Sequence, residues 1–301
     1  MTESELSNMN GSRTNKKVKK DLLQDYDIVY VVKQNRPFYE DKYWIDIFGE
    51  RLYMQCPDEI DRCNGIEVNF DKRYGWLIQF KDGNRLDLHV VPVEEVDIKS
   101  DKLCIILLDK DGLLPAIPEP SDEDYLIKRP TQDEFYACCN EFWWCLNNIA
   151  KGLWREEIPY VHRVLYDGSH PELVKLLNWK IGYETNFQVS TGKASKYLKE
   201  YLSADIWNKF LKTYINGELN DIWNSIFIMC DLFQNTALEV AKHSGFFYLW
   251  EEAKAGYYFL KHIYTLPKNA KTVFDNSNLS QSGQASLNFS SVLKSAACFA
   301  R

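Results

Sequence analysis

The sequence predicts an α+β protein, in which a mixed β-sheet domain comes first and a helical bundle domain follows. Residues 26 to 110 contain short runs of β-branched and aromatic residues separated by turns, which is typical of strands. The segment from Pro115 to Pro130 is rich in proline and acidic residues, and helical periodicity begins after it. We therefore predict a sheet domain over residues 1–120, a helical domain over residues 121–274, and a flexible Ser- and Asn-rich tail over residues 275–301.

Three segments of the first domain carry clear strand signals. The run Tyr26–Val32 (YDIVYVV) is rich in β-branched and aromatic residues. Two further runs, Trp76–Phe80 and Arg85–Val93, flank the sequence Lys81-Asp82-Gly83-Asn84. Because Asp-Gly-Asn is strongly favoured in tight turns, the two runs are predicted to form a hairpin.

The helical domain opens with a capping signal, since Glu134 follows Thr131 by three residues. The apolar residues that come next recur at helical spacing and predict a stripe facing the core: Phe135, Cys138, Phe142, Cys145, Leu146, Ile149 and Leu153. Later helices are predicted at about 171–186, 194–215, 218–243 and 247–263.

Composition excludes several classes of protein. The net charge of −7 argues against nucleic-acid binding as the main task and permits a polycationic small-molecule ligand. The eight cysteines form no C-x-x-C pair, which argues against a zinc site. We find neither a secretory leader nor an apolar run long enough to span a bilayer, so we expect reduced thiols and a cytoplasmic location without membrane association. His89 shares a strand face with Asp87 and is interpreted as a structural partner.

Three aspartates are the strongest candidates for chemistry. Asp25 and Asp27 are two residues apart, so on a strand their side chains point the same way and repel unless a cation lies between them. Asp87 lies on a later predicted strand of the same domain and can face this pair. Mg²⁺ is the natural candidate, because it takes oxygen ligands and uses one or two carboxylates together with substrate phosphates. The alternative is that the first two aspartates end a loop and face water.

A Gly-Ser turn lies upstream of these carboxylates. Gly11 and Ser12 offer a backbone amide and a hydroxyl to a phosphate group with little side-chain bulk in the way. A Gly-Ser pair alone is weak evidence, but it becomes specific when two alternating aspartates and a third, distant aspartate follow it.

This pattern resembles the nucleotidyltransferase superfamily to which DNA polymerase beta belongs, and within it the aminoglycoside 6-adenylyltransferases (streptomycin adenylyltransferases). The likeness runs from Gly11 to about residue 245. It is carried by GSRTN at 11–15, QDYDI at 24–28, DGNRLDL at 82–88, LLDKD at 107–111, RPT at 129–131, CCNEFW at 138–143, KGL at 151–153 and TGK at 191–193.

The resemblance implies AMP transfer from ATP, as co-substrate, to an aminoglycoside hydroxyl, with the 6-hydroxyl of streptomycin as acceptor. Mg²⁺ would be held by Asp25 and Asp27. Asp87 is the expected base and a possible third metal ligand, with Glu141 as the second candidate for the base.

By the same likeness, ATP phosphates are expected to contact Gly11, Ser12 and Arg13 of the first domain and Lys180 and Lys193 of the second. The alternative for the two lysines is an ordinary surface position.

Glu141, Trp143 and Trp144 are expected to bind the cationic drug through charge and stacking. The alternatives are an ordinary exposed helix acid for Glu141 and core packing for at least one tryptophan, which is the usual role of tryptophan on a helix. We expect the protein to act as a monomer.

The ends of the chain depart from the family pattern. Relatives carry a helix and a strand ahead of the Gly-Ser turn, whereas here only Met1–Asn10 precede it. This segment is neither apolar nor alternating, so the sheet is expected to lack an inner strand. Two alternatives to an active aminoglycoside adenylyltransferase stand. One is an inactive relative that still binds nucleotide or drug, and the other is a nucleotidyltransferase that modifies a different acceptor, such as a protein or RNA.

Overall fold

The computed structural model describes residues 6–96, 101–110, 112 and 116–274. The chain forms two compact units, Met1–Asp124 and Tyr125–Arg301. Strands dominate the first unit and helices the second, which confirms the predicted α+β class and the order of its parts. The boundaries predicted at residues 120 and 274 stay predictions, and the tail at 275–301 lies outside the described residues.

Within the described residues of the first unit, a six-stranded sheet is accompanied by two short α-helices. The strands are β1 (Leu6–Asn10), β2 (Tyr26–Val32), β3 (Arg51–Gln55), β4 (Tyr74–Phe80), β5 (Arg85–Pro92) and β6 (Cys104–Asp109), and the helices are α1 (Arg36–Glu40) and α2 (Pro57–Cys63). The strands at 26–32, 76–80 and 85–93 were therefore predicted correctly to within two residues at each end.

The sheet is mixed, with strand order β3-β4-β5-β2-β1-β6. Only β2 and β5 pair in parallel among the described strands, and their register sets Asp27 opposite Asp87. On its other side, β2 pairs with β1 in antiparallel register, which sets Asp27 opposite Asn10. Asp27 therefore lies in a central strand, between neighbours on both sides.

Strand β1 corrects one prediction. The sheet was expected to lack an inner strand before the Gly-Ser turn, yet Leu6–Asn10 forms one between β2 and β6. Periodicity failed here because this inner strand is unusually polar: Ser7 and Asn8 are buried, with 5% and 3% of their surface exposed. The amide of Asn8 donates to Asn10 and to the Cys104 thiol, which partly compensates for its burial.

In the described part of the second unit, the α-helices are α3 (Gln132–Arg155), α4 (Ile158–Val164), α5 (His170–Glu184), α6 (Leu198–Tyr201), α7 (Ala204–Leu211), α8 (Leu219–Ser244) and α9 (Trp250–Thr265). A π-helical turn, Leu165–Ser169, joins α4 to α5. None of these helices, nor any other in the described residues, is both long enough and apolar enough to cross a membrane.

Helix α3 forms for the reasons its sequence predicts. Thr131 accepts a hydrogen bond from the Glu134 backbone amide, and the Glu134 carboxylate accepts one from the Thr131 amide at 2.8 Å, which completes the capping box. All seven residues of the predicted stripe are buried, and all except Cys145 join the core of this unit.

The helix predicted over 194–215 is wrong as a single element. Gly192 and Ala194 adopt positive φ values of 74° and 54°, so residues 193–195 form only a short 3-10 turn. Ser203 then starts α7 by accepting a hydrogen bond from the Ile206 amide. Helix α4 was not predicted, because it is short and because Pro159 and the two preceding glutamates interrupt its apolar pattern in the sequence.

Candidate active site

The three predicted aspartates come together in one cluster within the first unit. Asp25, Asp27 and Asp87 each present a carboxylate oxygen, and these oxygens lie within 4.8 Å of one another. The register of β2 and β5 causes this, since it sets Asp27 beside Asp87, while Asp25 comes two residues earlier on the same side. All three are partly exposed. Three like charges at this separation repel, so the cluster favours a bound cation.

Gly11 shapes the space around Asp27. It follows β1 directly, has a φ of +78°, and donates its amide to the Leu103 carbonyl at 3.0 Å. A Cβ atom at this position would lie 2.4 Å from Oδ2 of Asp27, well inside contact distance. Glycine is therefore required twice, by the backbone conformation and by the carboxylate packed against it.

The turn after Gly11 is closed by hydrogen bonds of its own. The Thr14 amide donates to the Gly11 carbonyl at 3.1 Å, and the Asn15 amide donates to the Ser12 carbonyl at 3.3 Å. The Lys20 ammonium donates to the carbonyls of Ser12, Arg13 and Asn15. Three carbonyls of the turn thus share one cation, which fixes the turn next to the aspartates.

Arg13 lies against the same loop. Its Nε donates to the Asp25 carbonyl at 3.1 Å and its Nη2 to the Gln24 carbonyl at 2.6 Å. The guanidinium carbon stands 3.7 Å from the centre of the Tyr26 ring. The sequence predicted a phosphate contact for this side chain, and the structure places it on the backbone that carries Asp25.

Arg85 was not among the predicted site residues, although it belongs to the motif at 82–88. Its Nε and Nη2 donate to the two carboxylate oxygens of Asp87 at 2.8 and 2.7 Å, a side-on pair. Hydrogen bonds to Asp87 raise the pKa of the Arg85 guanidinium, and the charges of Asp25 and Asp27 add to this. An arginine two residues before an aspartate on a strand shares its face, and this spacing is the signal that could have revealed the pair.

His89 has the packing role that the sequence suggested. It pairs with Gly75 across β4 and β5, and a Cβ atom on Gly75 would lie 2.5 Å from the imidazole. Burial lowers the pKa of His89, and the charge of Arg73 lowers it further. The ring is therefore neutral at pH 7 and fills the space that Gly75 leaves open.

The two predicted phosphate-binding lysines belong to the helical unit and differ in environment. Lys180 lies on α5 with a side chain that is 11% exposed, and it pairs with Glu184 at 2.6 Å and with Glu239 at 2.5 Å. Although burial opposes its charge, the hydrogen bonds to these two glutamates raise the pKa of the ammonium. Lys193 is exposed in the 3-10 turn after Gly192.

The three predicted drug-binding residues all lie on α3. Glu141 is exposed and accepts a hydrogen bond from the Cys145 thiol at 3.1 Å. Trp144 is 65% exposed. Trp143 is buried, and its indole N–H donates to the Tyr248 hydroxyl at 3.1 Å. One tryptophan is thus part of the core, as the sequence suggested, and the other presents an aromatic face to solvent.

A mixed sheet that gathers three carboxylates beside a Gly-Ser turn places the protein in the class of nucleotidyltransferases. Over residues 5–263 the sequence matches the family model described as streptomycin adenylyltransferase. The chain belongs to this family and is an adenylyltransferase.

Individual relatives carry related names. The chain is 35% identical to an aminoglycoside 6-adenylyltransferase of Bacillus subtilis (strain 168) over 246 residues, which are 81% of this chain and 86% of the relative. It is also 35% identical to an aminoglycoside 6-adenylyltransferase of Campylobacter jejuni over 252 residues, 83% of this chain and 86% of the relative. A crystal structure of an aminoglycoside 6-adenyltransferase from Bacillus subtilis matches with a TM-score of 0.47 and 30% identity, over 88% of this chain and 94% of that one.

Proposed function

We propose that the chain transfers AMP from ATP to a hydroxyl group of an aminoglycoside, and that this acceptor is the 6-hydroxyl of streptomycin. The observation that carries the proposal is the convergence of Asp25, Asp27 and Asp87 on one side of the sheet, against the Gly11 turn. The family and the names of the relatives support the choice of donor and acceptor.

The three aspartates fit a magnesium ion. Their oxygens are hard, negatively charged donors within 4.8 Å of one another, and Mg²⁺ prefers such ligands. When bound, Mg²⁺ neutralises charge on the ATP phosphates and orients the α-phosphate for in-line attack. Asp25 and Asp27 would hold it, with Asp87 as a third ligand.

The residues around the turn are proposed to hold the phosphates. Gly11 and Ser12 have little side-chain bulk, which lets phosphate oxygens approach the main chain closely, and Ser12 adds a hydroxyl group. Among the lysines, Lys193 is exposed and supplies a positive charge directly. Lys180 already neutralises Glu184 and Glu239, so it contacts phosphate only by releasing one of them.

Asp87 is proposed as the general base. The acceptor hydroxyl gives its proton to this carboxylate as its oxygen forms a bond to the α-phosphorus, and the bond from the α-phosphorus to the pyrophosphate oxygen breaks. Arg85 uses one lone pair on each Asp87 oxygen, so each oxygen keeps another for a proton or a metal. Glu141 is the second candidate for this role.

Drug binding is proposed for α3. Glu141 supplies a carboxylate to a drug ammonium or guanidinium, and the exposed ring of Trp144 supplies a stacking face. Trp143 contributes by holding α3 in place, because its indole is buried and bonded to Tyr248.

We further infer a cytoplasmic monomer that acts on a small molecule and not on nucleic acid. The net charge of −7 disfavours nucleic acid as the acceptor and suits a polycationic drug. The seven cysteines in the described part of the chain are free thiols, which is expected of a protein in a reducing compartment.

The experiment is pyrophosphate release from Mg-ATP with streptomycin, spectinomycin or kanamycin as acceptor. Release with streptomycin alone is the expected result. Release with another drug only would overturn the acceptor, and release with RNA or a protein but no drug would show a different enzyme. Binding of ATP or drug without any release would identify an inactive relative.

A further inference from the structure

Arg13 contacts the backbone that carries one aspartate of the cluster. Its guanidinium makes three contacts, with the carbonyls of Gln24 and Asp25 and with the face of the Tyr26 ring. These three residues immediately precede Asp27 and include Asp25 itself. The side chain is half-buried in this environment.

These contacts tie together the two ends of the loop that connects the paired strands β1 and β2. Arg13 is in the turn after β1, and Asp25 comes directly before β2, with eleven residues between them. Because a guanidinium is planar and donates in a fixed fork, two carbonyls and a stacked ring determine its position closely. The backbone of Asp25 is fixed in return.

We propose that Arg13 is a positioning residue for the metal site, which holds the Asp25 backbone so that its carboxylate meets those of Asp27 and Asp87. This inference rests on the proposed function, since it assumes that the cluster binds a divalent cation. It differs from the expected phosphate contact, in which the guanidinium would bind ATP directly.

The two roles predict different responses to a metal in the absence of nucleotide. A phosphate ligand is irrelevant to binding of the bare ion, whereas loss of a residue that orients metal ligands costs about 10- to 100-fold in metal affinity. Removing a positive charge beside three carboxylates favours cation binding by simple electrostatics. Weaker binding after loss of Arg13 would therefore run against the charge effect and point to lost geometry.

The test is titration of the full-length protein with Mn²⁺, without ATP, followed by electron paramagnetic resonance of the free ion. Arg13→Gln and Arg13→Lys are both expected to weaken Mn²⁺ binding by about tenfold or more. Lysine keeps the charge but lacks the fork, so it tests geometry separately, and it carries the test if the glutamine variant does not fold. In both Arg13 variants, kcat is expected to fall by a larger factor than KM for ATP rises.

Lys16→Gln is the matched control. Lys16 lies three residues away in the same loop, pairs with Glu119, and its replacement removes the same charge. Mn²⁺ binding is expected to be unchanged or slightly tighter in this variant. Asp27→Asn is expected to abolish the highest-affinity Mn²⁺ binding, and this loss would assign that binding to the aspartate cluster.

Two outcomes would overturn the inference. If both Arg13 variants bind Mn²⁺ like the wild type while KM for ATP rises, Arg13 is a phosphate ligand. If the wild type binds Mn²⁺ no better than Asp27→Asn, the metal site itself is wrong, and the inference falls with it.

Discussion

Replacing Gly11 by alanine is expected to damage the active site more than the fold. The added Cβ would lie 2.4 Å from Oδ2 of Asp27, whereas ordinary contacts begin at 3.4 Å, so one of the two groups must move by about 1 Å. Strand pairing holds the Asp27 backbone on both sides. The carboxylate is therefore the group that shifts, away from the other two aspartates.

The size of both effects follows from this geometry. A displacement of about 1 Å in a catalytic group costs about 100-fold in rate, so kcat/KM should fall by about two orders of magnitude. Alanine at a φ of +78° also costs about 1–2 kcal/mol of folding free energy. Pyrophosphate release with Mg-ATP and streptomycin measures the first effect, and urea unfolding measures the second.

Gly65→Ala is the control for backbone strain. Gly65 has a φ of +79°, nearly the same as Gly11, but a Cβ atom there meets nothing within 4 Å. This variant should lose similar stability and keep its kcat/KM. If Gly11→Ala kept wild-type kcat/KM, or lost no more than Gly65→Ala, the argument that Asp27 needs this space would be refuted.

Two further predictions concern the base and the effect of pH. Asp87→Asn should lower kcat by about 10²–10⁴-fold with the fold intact. If Glu141→Gln lowered kcat more than Asp87→Asn did, Glu141 would be the base instead. In the helical unit, burial lowers the pKa of His170 from 6.5 to about 4. The unfolded chain then binds the additional proton, so the free energy of unfolding should fall as pH drops from 6.5 towards 4, by up to about 3 kcal/mol. His170→Asn should flatten this part of the curve in urea titrations, and an unchanged slope would show that the imidazole is not held neutral.

The sequence predicted the carboxylates because their signal is local. Alternation put Asp25 and Asp27 on one face, and the hairpin signal put Asp87 on a strand. The pairing of β2 with β5 was not predictable, since parallel register depends on long-range packing that no local pattern encodes. The inner strand β1 was missed for a related reason: its pairing on both sides compensates for polar residues that mask its hydrophobic pattern.

The supporting cations were harder to predict than the aspartates. Arg13 and Lys20 contact backbone carbonyls. Because every residue has a backbone carbonyl, the sequence does not show which one a side chain will contact. The family motif therefore suggested a phosphate contact for Arg13 while its observed partners are in the chain. Arg85 is different, because an Arg-x-Asp spacing on a strand does predict a pair.

Product analysis with streptomycin tests the central claim most directly. Wild-type protein and Asp27→Asn would each be incubated with Mg-ATP and the drug. Mass spectrometry would measure the mass of the product, and NMR would locate the modified position. We predict one AMP on the 6-hydroxyl with the wild type and unmodified drug with Asp27→Asn, whose circular dichroism should match the wild type. AMP transferred at a similar rate by Asp27→Asn, or streptomycin left unmodified by the wild type, would contradict the account.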